Sequence, residues 1–368
     1  MTQDRKKPPT TQQADEGRRR NPSSRDIARE ADVSQSTVSR VLNNSPRISK
    51  ATTMRVRSAA ERLAYSPNAA ARTLITGRSN LIGLVVSNIT NPFYPEVIEA
   101  VASTAAKEHY NVVLCNTQED RELHASYLEL LIQHQVDGAI LTSSLIDSQQ
   151  LLDKVRIDRI PLVLLNRTVP NLAADAVHLD NEKAGRVVAE HFVALGHQSV
   201  AFVGGLATTS TNAERLKGFR SGLADLGITP SPDCFTHGQF TRESGYALAQ
   251  QLIAKSPRPT AFFCADDQIA FGAMDAILSA GLRIPEDVAV VGVDDVPTAS
   301  LRQISLTTVR QPAAEMGRRA VKLLLERIRN GPGEEHIEIV IQPRLLVRRT
   351  CGGRVAPRVR TDGRMPAG

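Results

Sequence analysis

Gln35, Ser36, Ser39 and Arg40 are the residues whose types and spacing most directly specify a chemistry. A carboxamide can pair bidentately with adenine, and a guanidinium with guanine, on the major-groove edges of base pairs. Val38 and Val41 interleave with them, so a helix through this stretch buries the valines and presents the polar groups outward. An unrelated solvated helix face has the same pattern, and the helix alone leaves that alternative open. Catalytic sets do not assemble. The eight histidines form no HExxH, no serine stands in GxSxG, Gly204 and Gly205 belong to no GxGxxG, and GxxxxGK[ST] is absent. Cys115, Cys234, Cys264 and Cys351 are far apart and without metal-ligand spacing, which suits a reducing compartment and implies no metal or other cofactor. The pairs Asp266–Asp267 and Asp294–Asp295 read first as caps or salt-bridge partners. Asp267, at the head of a helical run, reads as its N-cap or first-turn acid.

The elements that position the polar row are three short helices within residues 23–65. Ser23 with Asp26 three residues on resembles a capping box, and Ile27, Ala28 and Ala31 give the first helix an apolar face. Asp32 falls in the turn. Ser34 can cap the second helix, with Thr37, Val38, Val41 and Leu42, and Ser49 a third, with Met54, Val56, Ala59, Ala60 and Leu63 facing inward. This is a helix-turn-helix layout.

From Leu81 onward apolar strands alternate with helices. Strands are expected at Leu81–Ser87, Asn111–Cys115, Gly138–Leu141, Leu162–Leu165, Ala176–Leu179, Ser199–Val203, Thr260–Cys264 and Val288–Val293. Most are uninterrupted apolar runs, as parallel strands covered on both faces require. Helices are expected at Pro95–Glu108, Arg121–His134, Asn181–Leu195 and Asp267–Ala280. Two doubly wound α/β lobes fit the length. Residues 1–22 and 353–368 lack apolar periodicity and read as disordered ends.

The formal net charge of +6 over 368 residues is unevenly spread. Residues 1–80 carry sixteen Lys/Arg against seven Asp/Glu, residues 81–343 carry twenty-two against thirty-one, and residues 344–368 carry seven against one. A basic head on an acidic body is the footprint of a nucleic-acid module joined to something else, although charge alone equally describes a solvated basic arm. No apolar run approaches the ~18 residues of a membrane span, and the Arg-rich N-terminus has no apolar core of a signal peptide. A membrane partner is therefore not expected.

Arg25–Asn43, RDIAREADVSQSTVSRVLN, and Tyr65–Leu74, YSPNAAARTL, closely resemble the head and hinge of the lactose/galactose repressor (LacI/GalR) family of bacterial transcription regulators. The resemblance runs from about Ser23 to Cys351. It includes Asn91–Tyr94, Val136–Gly138, Leu195–His197, Arg215–Phe219, Pro285–Asp295 and Leu306–Pro312. It implies an N-terminal all-α helix-turn-helix head and a two-lobed α/β effector domain of the periplasmic-binding-protein kind, with doubly wound parallel sheets. The implied layout is a basic arm at 1–22, a DNA-binding domain at 23–66 and a hinge at 67–80. An effector domain follows at 81–352, its N-lobe about 81–180 and 311–340 and its C-lobe about 181–310 and 341–352, and then a tail at 353–368.

By the same resemblance Gln35, Ser36 and Arg40 read bases, while Thr37, Ser39 and Asn43 contact phosphate. Ala71, Arg72 and Leu74 belong to a hinge that wedges into the minor groove. Paired hinges imply a homodimer on a palindromic operator. The tail has no heptads, which favours the dimer over a tetramer. Asp32 departs from the family, which usually has glycine in the turn; Asp tolerates the left-handed conformation better than most residues. The implied cleft residues are Phe93, Tyr94, Asn166, Thr209, Thr211, Arg215, Phe240, Asp266 and Asp294. They suit a small sugar, with aromatic faces for a ring and Arg215, Asp266 and Asp294 for hydroxyls. Phe93 equally suits plain core. Thr209 stands where purine-type members place arginine, so a nucleobase effector is disfavoured, and a non-sugar metabolite stays open. The resemblance thus implies a cytoplasmic, non-enzymatic repressor of carbohydrate-utilisation genes. A transport receptor of the same fold would instead need a signal peptide and no helix-turn-helix.

Overall fold

The computed structural model describes residues 22–42, 45–65, 77–142, 160–169, 172–331, 333 and 335–353. Asn43, Ala71, Arg72, Leu74 and the two terminal arms lie outside them. The chain forms two compact units, residues 1–77 and 78–368.

The first unit holds α1 (Ser24–Glu30), α2 (Gln35–Leu42) and α3 (Lys50–Arg62). Each begins at a serine, because the first backbone N–H groups of a helix need acceptors from outside it. The Ser23 N–H and hydroxyl donate to the Asp26 carboxylate at 2.9 and 2.7 Å. Ser34 Oγ accepts from the Thr37 N–H, and Ser49 Oγ from the Thr52 N–H, each at 3.2 Å. Ile27, Ala28, Ala31, Val38, Val41, Val56 and Ala59 form the core. Met54, expected inside, is 71% exposed. It stands two residues, about 200° around the helix, from Val56, whereas Ala59, Ala60 and Leu63 share the Val56 face. The turn between α1 and α2 takes Asp32 into the left-handed region at φ +49°. Arg55 of α3 clamps it, donating from Nη2 to the carbonyls of Ala31 and Asp32.

The second unit runs β1 (Leu81–Val86), α4 (Phe93–Lys107), β2 (Asn111–Asn116), α5 (Arg121–Gln133), β3 (Gly138–Leu141), β4 (Leu162–Leu165) and β5 (Asp175–Leu179). It continues with α6 (Asn181–Ala194), β6 (Val200–Val203), α7 (Ser210–Asp225), β7 (Phe235–Thr236), α8 (Arg242–Ile253), β8 (Ala261–Cys264), α9 (Asp267–Ser279) and β9 (Ala289–Asp294). It ends with β10 (Thr307–Arg310), α10 (Ala313–Asn330), β11 (Glu338–Ile341) and β12 (Arg344–Leu346). Among the described residues there are two six-stranded sheets, ordered β11-β5-β4-β3-β1-β2 and β12-β10-β9-β8-β6-β7. Every pairing is parallel except β10 with β12.

The central strands β3, β4, β8 and β9 are buried along their whole length, which explains their unbroken apolar sequences. The four strands not expected from sequence, β7, β10, β11 and β12, are short, and three of them carry charged residues. Their pairing comes from neighbours distant in sequence rather than from a local pattern.

The chain passes from the first sheet to the second after β5, returns after β10 through α10 to β11, and crosses again to β12. Helices α6 and α7 pack through Gly185 and Gly218. A Cβ on Gly218 would lie 1.8 Å from the Glu182 carbonyl oxygen, and one on Gly185 2.1 Å from that of Arg215. That close approach brings Arg215 of α7 against Asn181 at the start of α6.

Candidate ligand cleft and nucleic-acid interface

On α2 the periodicity of the sequence is realised directly. Val38 and Val41 are buried, Gln35, Ser36 and Arg40 are exposed, and Thr37 and Ser39 are half-buried. Gln35 donates from Nε2 to Ser24 Oγ at 3.0 Å, so its amide is oriented by α1. The Thr37 hydroxyl is bonded to that of Ser34 at 2.8 Å, tying it to the helix start. The outward row carries one guanidinium, one carboxamide and hydroxyls, the donor and acceptor set that reads base edges.

In the second unit, the carboxyl ends of strands from both sheets surround a cavity of about 140 Å³. Eight of the nine expected cleft residues line it: Phe93, Tyr94, Asn166, Thr211, Arg215, Phe240, Asp266 and Asp294. Thr209 does not. It is fully buried at the N-cap of α7, and its hydroxyl donates to the Leu206 carbonyl at 2.8 Å. Phe93 and Tyr94 open α4, packed edge-to-face with centroids 5.3 Å apart, and Ser87 Oγ donates to the Tyr94 hydroxyl at 2.7 Å. Both rings also join the core of the unit, so the core and cleft readings of Phe93 hold together.

Arg215 is 2% exposed, and each of its guanidinium nitrogens already has a protein acceptor. Nε donates to Asn181 Oδ1 at 2.9 Å, Nη1 to the Ala265 carbonyl at 2.5 Å, and Nη2 to Gln311 Oε1 at 3.0 Å. Burial lowers its pKa, while Asp294 and Asp266 hold the charge in place. Asp266, not Asp267, caps α9: its Oδ1 accepts from the Ile269 N–H at 2.8 Å and its Oδ2 from Asn91 Nδ2 at 3.0 Å. Asp266 has extended dihedrals, as an N-cap must, and Asp267 is already helical. The Asp267 side chain turns inward, accepting from the Thr308 hydroxyl at 2.7 Å and the Val296 N–H at 3.0 Å. Burial raises the carboxyls of Asp266, Asp267 and Asp294 above the ordinary range, with Arg215 opposing it at Asp266 and Asp294. Among the described residues Asp294 is neither cap nor ion-pair partner; Asp295 beside it takes Arg348 at 2.5 Å.

Sequence reasoning passes over Ser87, Asn91, Gln118, Glu119, Arg167, Gln239 and Thr241, which also line the cavity. Several follow the ends of expected strands, and ligands of open α/β sheets lie at such ends; that rule was the available signal. Arg167 binds Glu119 in a two-pronged pair at 2.7 and 2.6 Å, which raises its pKa although burial works against its charge. A larger groove of about 640 Å³, over Leu216, Ala224, Ile228 and Phe235, has no comparable convergence of buried charge. Among the described residues no group of acids, histidines and cysteines could hold a metal, and no helix is long and apolar enough to cross a membrane.

Residues 25–68 match the family described as bacterial regulatory proteins, lacI family, and residues 189–351 match the periplasmic binding protein-like domain. The chain is 35% identical over 327 residues to the HTH-type transcriptional repressor PurR of Photobacterium profundum, covering 89% of this chain and 97% of that one. It is 35% identical to the ribose operon repressor of Haemophilus influenzae, covering 88% and 97%. Among solved structures, it resembles the lac repressor dimer bound to operator and the anti-inducer ONPF, with TM-score 0.79 and 29% identity over 90% of this chain and 99% of that one. It also resembles the transcriptional regulator CelR–cellobiose complex, with TM-score 0.69 and 31% identity over 89% and 99%. With an exposed polar row on α2 and a two-sheet unit enclosing a polar cavity, the chain belongs to the lacI family of bacterial regulatory proteins, transcription regulators rather than enzymes.

Proposed function

We propose that this protein is a cytoplasmic repressor of carbohydrate-utilisation genes that binds a palindromic operator as a homodimer, its affinity set by a small sugar-like effector. The exposed row Gln35, Ser36 and Arg40 on α2 carries this reading. Those residues read bases. Thr37, Ser39 and Asn43 give register on phosphates, and Leu74, with Ala71 and Arg72, wedges the minor groove. The effector lies between an N-lobe of about 81–180 with 311–340 and a C-lobe of about 181–310 with 341–352, touching the eight expected residues that line the cavity. Occupancy changes the relation of the two lobes and thereby the population of the DNA-competent state. The coupling is reciprocal, so operator DNA changes effector affinity by the same factor.

A gel shift with the DNA flanking the gene tests the reading. Expected is salt-dependent binding to a palindrome there, with Arg40→Ala weakening it roughly ten- to hundredfold through loss of one bidentate base contact. No binding to any such palindrome, with or without ligands, overturns it. The relatives named PurR favour a second reading in which the effector is a non-sugar metabolite. Supporting the sugar are the ribose operon repressor and the cellobiose complex among the similar proteins.

A further inference from the structure

The start of α1 lies against the start of α2. Gln35, the first residue of α2, donates from Nε2 to Ser24 Oγ at 3.0 Å. In helix-turn-helix heads the second helix enters the major groove with its N-terminal residues at the base edges, while the first helix crosses the backbone. The chain therefore enters α1 at the wall of the groove. Ser23 is extended, at φ −107° and ψ 165°, and the Asp26 carboxylate holds both its N–H and its hydroxyl, so the head itself fixes that entry point. Arg25, two residues on, is exposed, and nothing among the described residues pairs with it. Arg29, Arg55 and Arg62, by contrast, face Asp26, Asp32 and Glu30 at 3.6, 3.9 and 3.1 Å.

Upstream of the entry point the sequence reads Asp15-Glu16-Gly17-Arg18-Arg19-Arg20-Asn21-Pro22. The three arginines lie in the arm outside the described residues, and the family match begins only at residue 25, so they are additional to Gln35, Ser36 and Arg40. An extended chain spans at most about 3.6 Å per residue, so Arg20 reaches up to about 14 Å from Ser24 and Arg18 up to about 22 Å. The major groove is about 12 Å wide, so all three reach the phosphates that border it while α2 stays in place. Asp15 and Glu16 end the run, because their like charge keeps them off the duplex. The head offers these arginines little else: of its four acids, Asp26, Asp32 and Glu30 already face arginines, leaving Glu61 on α3.

We infer that Arg18, Arg19 and Arg20 neutralise phosphates beside the major groove that α2 enters, adding three charge contacts per head that carry no sequence information. This rests on the reading of α2 as the groove-entering helix. The arginines raise affinity for any duplex and speed encounter, whereas Gln35, Ser36 and Arg40 discriminate.

The test measures binding of the full chain, across a salt series, to duplexes of equal length with and without the operator palindrome. Each neutralised phosphate contributes about 0.9 to the slope of log affinity against log salt. Arg18→Ala, Arg19→Ala and Arg20→Ala combined should make the slope of a dimer less steep by up to about 5. Between about 50 and 200 mM salt, the wild type should then lose up to about a thousandfold more affinity than this variant. The weakening should be alike on both duplexes, and weakening confined to the palindrome would mean base reading and overturn the inference. The three lysine substitutions at the same positions keep the charge and should keep the slope. A slope change under about 1 in the alanine variant overturns the inference, and it is what an arm held by the acidic effector unit would give. A lysine variant as weak as the alanine one overturns it too. Failure of the operator reading shows separately, as wild-type protein that binds the two duplexes alike, while the slopes still judge the arm.

Discussion

Arg215 Nη2 donates to Gln311 Oε1 at 3.0 Å, and Gln311 passes the chain on, donating from Nε2 to Asn166 Oδ1 at 2.9 Å. Arg215 sits on α7 beside the second sheet, whereas Gln311 lies on the segment that returns the chain to the first. The buried cation at the centre of the cleft is thus bonded directly to a crossing segment. Arg215→Met should remove the charge that compensates Asp294 and Asp266 and destabilise the unit by about 3–5 kcal/mol. Urea unfolding measures it, and a loss under about 1 kcal/mol would mean that these carboxyls do not depend on Arg215.

His124 on α5 is 2% exposed, its Nε2 has no partner among the described residues, and burial pushes its pKa down to about 4 against the pull of Glu119. The folded protein holds it neutral, while the unfolded chain protonates it below the ordinary value near 6.5. Its contribution is fully present above that value and is lost as pH falls from about 6.5 to 4, to a total of about 3 kcal/mol. Asp266 and Asp267, raised by burial, give a slope of opposite sign, stability falling as pH rises. The difference between wild type and His124→Leu cancels these shared contributions. The wild type should lose more stability than the variant on acidification across that window, and parallel curves would refute the assignment.

Arg55 holds the turn of the head through two backbone carbonyls, while the Asp32 carboxylate is exposed and only 3.9 Å from the same guanidinium. Arg55→Ala should therefore destabilise the head by about 1–2 kcal/mol. Asp32→Gly keeps both carbonyls and relieves a positive φ, and should be neutral or stabilising by up to about 1 kcal/mol. Hydrogen exchange at the Val33 and Val38 amides reports both. Faster exchange in Asp32→Gly would assign the turn to its side chain instead.

Gly205 supports the Phe240 wall of the cleft. Its N–H donates to Asn212 Oδ1 at 2.8 Å, and a Cβ there would lie 2.4 Å from the Phe240 ring. Gly205→Ala must move that ring into the cavity or away from Arg167, at an overpacking cost of about 1–3 kcal/mol. Effector binding should weaken at least about tenfold while urea unfolding stays cooperative; unchanged affinity would show that the Phe240 position does not shape the site.

Much of the fold was legible because its signals are local. Serine caps at Ser23, Ser34 and Ser49, the Val38–Val41 face and the unbroken strands β3, β4, β8 and β9 all declare themselves within a few residues. Met54 misled because an apolar residue in a helix need not lie on its buried face. Of the two roles open to Asp267, N-cap or first-turn acid of α9, the second is realised; two aspartates in succession offer the same chemistry, and only the backbone dihedrals make Asp266 the cap.

The sequence by itself determined the polar row of α2, the alternation of strands and helices and, through resemblance, eight residues that the fold gathers into one cavity. What the tertiary structure decided is which groups there remain open. Arg215 spends its nitrogens on Asn181, Ala265 and Gln311, and Thr209 turns to Leu206, while Arg167 is locked by Glu119, its buried Nε without a partner among the described residues. The partners of Arg215 stand 34, 50 and 96 residues away in sequence, and Glu119 stands 48 from Arg167. Hydrogen-bond satisfaction depends on atoms within about 3 Å, a distance that strand crossings set and residue spacing does not.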